Sequence, residues 1–347
     1  MKLLIKGAAS SLAAIALAAG VTAQKPTNAV NQSWVPPGTP GSKIDGTIFH
    51  AQVLLGAAGF STGVIDGKEG MSFKAAIRGF QESRGLPVTG KLDLPTRQAL
   101  LQQNRPSTVR VKLDRTDIGG NYVYPFPKKP EEEAKLKWAG YRNMLEEVAE
   151  RYHTTPDTIV ALNGPTALIG VGQTLRLPNV LPGSTNYGGS PLKDEYRTWF
   201  VKLNVDGNQP QGDHIVVDKS EGQLKVVDAD DRVVAQFPVT TGSQHDPLPI
   251  GNWKVPTFSF LPPFHYQPDL FWDVDDSKDE KMLPAGPNGL VGVAWLDLTK
   301  EHYGIHGTPE PQTIGRTESH GCIRMTNWDV LRLSRMLKPG FKAVFQA

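Results

Sequence analysis

Between residues 43 and 104, apolar side chains recur at intervals of three and four: Ile48 with Val53, Leu54 and Leu55, then Phe73, Ala76, Ile77 and Phe80, then Ala99, Leu100 and Leu101. This spacing predicts three short helices that share one apolar core. The segments Gly59 to Gly67 and Gly85 to Gly90 supply the glycine and Asx residues that tight loops between helices require. Residues 138–180 form a second, smaller pattern. Met144, Leu145, Val148, Ala149 and Tyr152 line one helix face; Thr155-Pro156-Asp157 starts another helix bearing Ile159, Val160 and Leu162; and Val171 to Pro178 closes the unit as a strand. From about Asp213 the period drops to two. His214 to Val217, Leu224 to Val227 and Val233 to Val239 read as strands separated by turns. Thr326-Asn327-Trp328-Asp329 starts a helix carrying Val330, Leu331, Leu333, Met336 and Leu337, and Phe341 to Phe345 returns as a strand after the stop at Pro339-Gly340. The predicted fold class is multidomain α+β, with a small three-helix domain, a small mixed unit and a mainly β domain at residues 196–347.

Polar, proline-rich linkers at residues 24–42 and 125–137 separate these patterns. At the start, Lys2 and Lys6 precede an apolar run from Ala8 to Ala19, followed by the small residues Val21-Thr22-Ala23. Residues 1–23 read as a cleavable secretory signal, since the run is shorter than the ~20 residues that cross a bilayer. No membrane anchor is expected after cleavage. The 37 Lys+Arg face 35 Asp+Glu, and loss of the two signal lysines balances the mature chain. Neither nucleic acid nor an anionic membrane surface is therefore an expected partner, because both call for a basic patch. The chain has one cysteine, Cys322. In an exported, disulfide-permissive setting it has no internal partner and stays a free thiol.

Two histidines lie close to this cysteine, in His306-Gly307 and in Ser319-His320-Gly321-Cys322-Ile323-Arg324. A thiol attacks a carbonyl as thiolate, so it needs an imidazole to take its proton and favourable charge to hold the anion. Tyr303 to His306 reads as a strand ending at Gly307. Ser319 to Cys322 reads as a glycine turn whose backbone amides can converge on an oxyanion. His302, His306 and His320 with Cys322 also supply zinc-type ligands, but His302 and His306 have helical ligand spacing in a strand-like segment, and no acidic base accompanies them. No metal and no other cofactor is expected. Phe264-His265-Tyr266 and Phe271-Trp272 read as packing or as a groove wall, while His50, His153 and His214 fall in unrelated segments and join no constellation.

Three resemblances follow from these residues. Residues 43–104 resemble the three-helix peptidoglycan-binding domain through Gln52-Val53-Leu54-Leu55, Ile65-Asp66-Gly67, Phe80-Gln81 and Gly90-Lys91-Leu92-Asp93. Residues 138–180 resemble a degenerate LysM sugar-binding module through Ala149-Glu150-Arg151-Tyr152, Leu162-Asn163 and Gly172-Gln173-Thr174-Leu175, with no opening strand evident before Met144. His306-Gly307 and Ser319 to Met325 resemble the L,D-transpeptidase catalytic domain of YkuD type. Upstream and in order, Thr240-Thr241-Gly242, Leu248-Pro249-Ile250-Gly251 and Gly286-Pro287-Asn288-Gly289 extend that resemblance. It implies a β-sandwich in which Cys322 is the nucleophile and His306 its general base. It also implies an oxyanion turn of His320, Gly321 and the Cys322 amide, with Arg324 orienting the catalytic loop or a substrate carboxylate, and Ser319, Gly307 and Tyr303 beside the substrate. Since Gly307 stands where some relatives have serine, a backbone carbonyl is expected to orient His306. The implied partners are peptidoglycan stem peptides and glycan, with an acceptor amine on another stem or a wall-attached protein, or water. The implied location is the periplasm or cell envelope.

Overall fold

The computed structural model describes residues 42–188, 194–274 and 278–347. The signal at 1–23 and nearly all of the linker at 24–42 lie outside the described residues. In chain order the elements are α1 (Gly46–Ala57), α2 (Met71–Ser83), α3 (Leu94–Leu101), β1 (Thr108–Lys112), α4 (Pro130–Glu133), α5 (Met144–Arg151), α6 (Pro156–Asn163), β2 (Thr174–Pro178), α7 (Asp194–Lys202), β3 (His214–Asp218), β4 (Gln223–Val227), β5 (Val233–Pro238), β6 (Gly251–Val255), β7 (Phe258–Phe260), β8 (Phe264–Tyr266), β9 (Lys281–Leu283), β10 (Ala294–Asp297), β11 (Gly304–His306), β12 (Ile323–Arg324), α8 (Asn327–Met336) and β13 (Phe341–Gln346). Among the described residues, no helix is long and apolar enough to cross a membrane. The whole is a multidomain α+β chain, helical at the start and mainly β at the end.

The apolar stripes of α1 to α3 meet around Leu55, Phe60, Ala76, Ile77 and Phe80. Asp45 and Asp93 cap α1 and α3 by accepting from backbone amides of the first turn. This unit is joined to the β domain by its own backbone. The Ser61 amide donates to the Gln236 carbonyl at 2.8 Å and the Gln236 amide to the Gly59 carbonyl at 3.0 Å, so residues 59–61 run along the outer edge of β5. The Gln236 side chain also donates to the Ala75 carbonyl of α2 at 2.8 Å. It fits because Gly79 has no Cβ, which would collide with the Gln236 carboxamide.

The second unit begins earlier than its helix pattern suggests. β1 pairs antiparallel with β2, in register from Thr108 opposite Pro178 to Lys112 opposite Thr174, so the opening strand expected but not found before Met144 does exist. Its residues, Thr-Val-Arg-Val-Lys, alternate correctly for a half-buried strand. Residues 113–143, including the short α4 inside the second linker, separate it from α5 and hide the connection. Leu113, Val148, Tyr152, Ile159, Leu175 and Leu177 close this unit's core.

The last unit packs two sheets face to face. One has the strand order β5-β4-β3-β13-β6, the other β12-β11-β10-β7. The C-terminal strand lies in the middle of the first sheet, parallel to β3 and antiparallel to β6. Ile215, Val217, Leu224, Val226 and Phe237 from one sheet meet Leu296, Ile305 and Ile323 from the other, with Phe200 of α7 and Val330, Leu331 and Leu333 of α8 completing the core.

Candidate active site

Three strands build the site by register alone. Trp295 of β10 pairs with His306 of β11, His306 pairs with Arg324 of β12, and Thr240 bridges to Arg324 from the far side. Paired residues on neighbouring strands project to the same face of a sheet. Trp295, His306 and Arg324 therefore form one row, while Ile305 and Ile323 point into the core and are fully buried. Cys322 sits immediately before β12, in the turn two residues ahead of Arg324.

His306 is 4% exposed, its ring stacked on Trp295 at 5.4 Å between centroids and 18° between planes. Nδ1 donates to the carbonyl of Gly307 at 2.6 Å. A carbonyl only accepts, so the hydrogen sits on Nδ1 and Nε2 is left as an acceptor. Burial lowers the pKa to about 3, the Arg324 charge acts in the same direction, and the Gly307 carbonyl opposes both. The imidazole is thus neutral, with Nε2 unprotonated.

Cys322 is half-buried, and its thiol donates to the His302 carbonyl at 3.8 Å. Burial pushes the thiol up to about 11, against the pull of the Gly304 amide and of Arg324. At neutral pH the two groups are therefore an uncharged thiol and an uncharged imidazole, not an ion pair. The turn that carries the thiol is clamped on both sides. Ser319 Oγ donates to the Cys322 carbonyl at 2.6 Å. The Ser319 amide donates to the Thr241 carbonyl, the Ser243 amide donates to Ser319, and Thr240 and Arg324 exchange two backbone hydrogen bonds at 2.9 and 3.0 Å. Thr240-Thr241-Gly242 is the brace of the turn that carries Cys322. Gly321 adopts φ +98°, and a Cβ there would press into the Tyr303 ring, so both conformation and space call for glycine. Tyr303 has its hydroxyl pKa raised by burial, then by Asp246 and Cys322.

The other residues named from the sequence take separate positions. Arg324 is half-buried and makes no ion pair with a carboxylate among the described residues; burial lowers its pKa, with Cys322 opposing. His320 turns to a different partner. Its Nε2 donates to Asp273 at 2.8 Å, its ring meets Phe271 edge-on at 5.0 Å, and Trp272 lies 6.2 Å away while stacking on His245 at 4.2 Å. Phe271, Trp272 and Asp273, which follow β8, thus wall the turn that carries Cys322. Gly307 is buried behind the site, where a Cβ would collide with the Asn327 carboxamide. His302 is exposed and sits beside Glu301. Among the described residues, no three His, Cys, Asp or Glu side chains gather where they could hold a metal ion.

Sequence reasoning missed Trp295, Asp273, Asp246 and Asn327. Trp295 had a usable signal in the alternation of β10, but its partner across the strand is set by register, which no local pattern contains.

Residues 212–345 match the family model described as "L,D-transpeptidase catalytic domain", and residues 47–100 the one described as "Putative peptidoglycan binding domain". The chain is 28% identical over 200 residues to "Putative L,D-transpeptidase YkuD" of Bacillus licheniformis, a match covering 56% of this chain and 89% of that protein. It is 52% identical over 54 residues to the protein of the same name from Bacillus subtilis, covering 16% of this chain and 33% of that one. Among solved structures, an L,D-transpeptidase from Mycobacterium smegmatis aligns at 18% identity and TM-score 0.32, covering 38% of this chain and 58% of that chain. The last unit is thus a catalytic domain of the L,D-transpeptidase family, preceded by a peptidoglycan-binding domain. The protein is an enzyme of the L,D-transpeptidase type.

Proposed function

We propose that the enzyme acts on peptidoglycan tetrapeptide stems through a thioester on Cys322. The observation that carries this reading is the neutral His306, its Nδ1 committed to the Gly307 carbonyl and its Nε2 left as the acceptor, on a strand paired with the one that directly follows Cys322. Cys322 attacks the carbonyl of the third stem residue as His306 takes the thiol proton. The terminal D-alanine leaves as amine, receiving that proton. The charge on the tetrahedral oxygen falls to the backbone amides at Gly321 and Cys322, and Arg324, with no carboxylate partner among the described residues, meets a substrate carboxylate. His306 then deprotonates the acceptor amine. A diaminopimelate side chain gives a 3-3 cross-link, a lysine attaches a protein, and water gives L,D-carboxypeptidase products. The peptidoglycan-binding domain at residues 47–100 retains the enzyme on the wall, in the periplasm or cell envelope, and the strand-helix-helix-strand unit of β1, α5, α6 and β2 contributes to glycan contact.

Mass spectrometry of muropeptides after incubation of the purified protein with disaccharide tetrapeptide tests the reading. Release of D-alanine with a tripeptide, or with a dimer joined 3-3, is expected. Intact tetrapeptide after prolonged incubation, with the thiol shown to be reduced, would refute it.

A further inference from the structure

The buried face of α5 reaches the catalytic imidazole through two side chains. His306 is aimed by the Gly307 carbonyl, so whatever fixes Gly307 fixes the base. Gly307 packs against the carboxamide of Asn327, and so does Gly292, at φ +61°; a Cβ on either glycine would collide with Asn327 Oδ1. The carboxamide is itself pinned. Oδ1 accepts from the Val293 amide at 3.0 Å, while Nδ2 donates to the Pro287 carbonyl at 3.0 Å and to Glu150 Oε1 at 2.7 Å. An amide can only donate and a carbonyl only accept, so these partners also settle which way the carboxamide faces. Glu150 is 5% exposed, and its second oxygen accepts from the Tyr141 hydroxyl at 2.5 Å. Tyr141 packs in the core of the catalytic domain, whereas Glu150 lies on α5, outside the residues matched to the catalytic family.

We propose that Glu150 is a positioning residue for His306, acting through Asn327 and Gly307, so that the catalytic domain takes part of its active-site support from the preceding unit. This rests on the transpeptidase reading of the site. The hydrogen-bond partners of the Glu150 carboxyl are Tyr141 and Asn327, so it reaches His306 only through other groups. Burial raises its carboxyl to about 8, against the hydrogen bonds from Tyr141 and Asn327, so near neutral pH it is mostly an uncharged acceptor. Its role is then one of hydrogen bonding and shape, not charge.

The test compares Glu150→Met and Glu150→Gln in the full chain, with thermal melting as the check on folding. Met keeps the volume and removes both acceptors. It should lower kcat on disaccharide tetrapeptide roughly 10- to 100-fold, the scale of a misplaced catalytic group, with KM little changed. Gln keeps an acceptor for Asn327 and should restore most of the rate lost in Met. Nitrogen-15 NMR of the His306 ring reads the tautomer without turnover, so a failure of the functional reading is separable from a failure of this one. The wild type should show the Nδ1–H form, and Glu150→Met a mixture. A folded Glu150→Met with wild-type kcat and tautomer would overturn the proposal, as would a Gln variant as slow as Met. Should Met fail to fold, Tyr141→Phe removes one of the two donors to the carboxyl and should give a smaller loss, roughly threefold, with a loosened tautomer; an unchanged tautomer there would equally overturn it.

Discussion

Two histidines in this molecule have nearly the same surroundings, and only one of them is proposed to act as a base. His306 stacks on Trp295 and donates from Nδ1 to the Gly307 carbonyl. His153 stacks on Trp328 at 4.9 Å and 10°, and donates from Nε2 to the Leu203 carbonyl at 2.7 Å. Burial lowers both to about 3. A strongly shifted buried histidine is therefore not by itself a sign of catalysis here. What differs is the neighbourhood of the remaining nitrogen. Arg324, with no carboxylate partner among the described residues, stands opposite His306 on the paired strand, and Cys322 lies in the turn just before it; His153 bridges the end of α5 to the loop after α7 and sits against the start of α8.

The same substitution at both positions separates them. His306→Leu should lower the rate of Cys322 acylation by roughly 100- to 10,000-fold, the loss expected of a general base, in protein that still melts cooperatively. A smaller change in a quantitative acylation assay would move the base elsewhere. Next in size is the pH dependence of thiol alkylation. With the thiol near 11 and the imidazole near 3, the rate of iodoacetamide labelling in the free enzyme should climb about tenfold per pH unit from pH 6 to 9. A plateau below pH 8 would show a preformed thiolate–imidazolium pair and contradict the neutral ground state.

His153→Leu works on stability. It leaves the Leu203 carbonyl without its donor, at a cost of about 1–3 kcal/mol, and should shift the melting temperature while leaving alkylation of Cys322 unaltered. A variant melting like the wild type would show that the bridge carries no stability. The smallest expected effect is the pH profile of melting. The folded-state pKa of His153 and of His306 lies below the unfolded 6.5, so their stability contribution is lost as pH falls below 6.5 towards 3. Glu150 is shifted the other way, from 4.5 to about 8, and its contribution is lost as pH rises between those values. With two histidines gaining against one glutamate losing, melting should rise to a maximum near pH 6.5 and fall from there towards pH 8. His153→Leu should flatten the acid limb and Glu150→Gln the alkaline one; a profile still rising from pH 6.5 to 8 would contradict the Glu150 assignment, and one flat from pH 3 to 6.5 the histidine assignments.

The comparison also marks what the sequence could and could not convey. Strand β4 was legible because Leu224 and Val226 flank Lys225, β3 because Ile215-Val216-Val217 is a short β-branched run before a turn, and the turn before β12 because Cys322 is the lone thiol, preceded by histidine and glycine. β1 was not, since residues 113–143 part it from the helices it belongs with. Asn327 looked like the first residue after a helix cap, and Glu150 like one charged residue between Ala149 and Arg151; that they meet depends on how two units pack. His153 and His306 differ in sequence only by the glycine and cysteine near one of them. Local pattern gives elements and motifs, whereas the aim of an imidazole is set by contacts between residues far apart in the chain, here up to the 177 positions separating Glu150 and Asn327.

The central claim, that Cys322 carries the acyl group, is tested most directly by mixing enzyme with disaccharide tetrapeptide, quenching with acid and weighing the intact protein. The account predicts one adduct per chain with the mass of the disaccharide tripeptide acyl group, with D-alanine released and the adduct absent from Cys322→Ala. Turnover without any adduct, or an adduct that persists in Cys322→Ala, would contradict it.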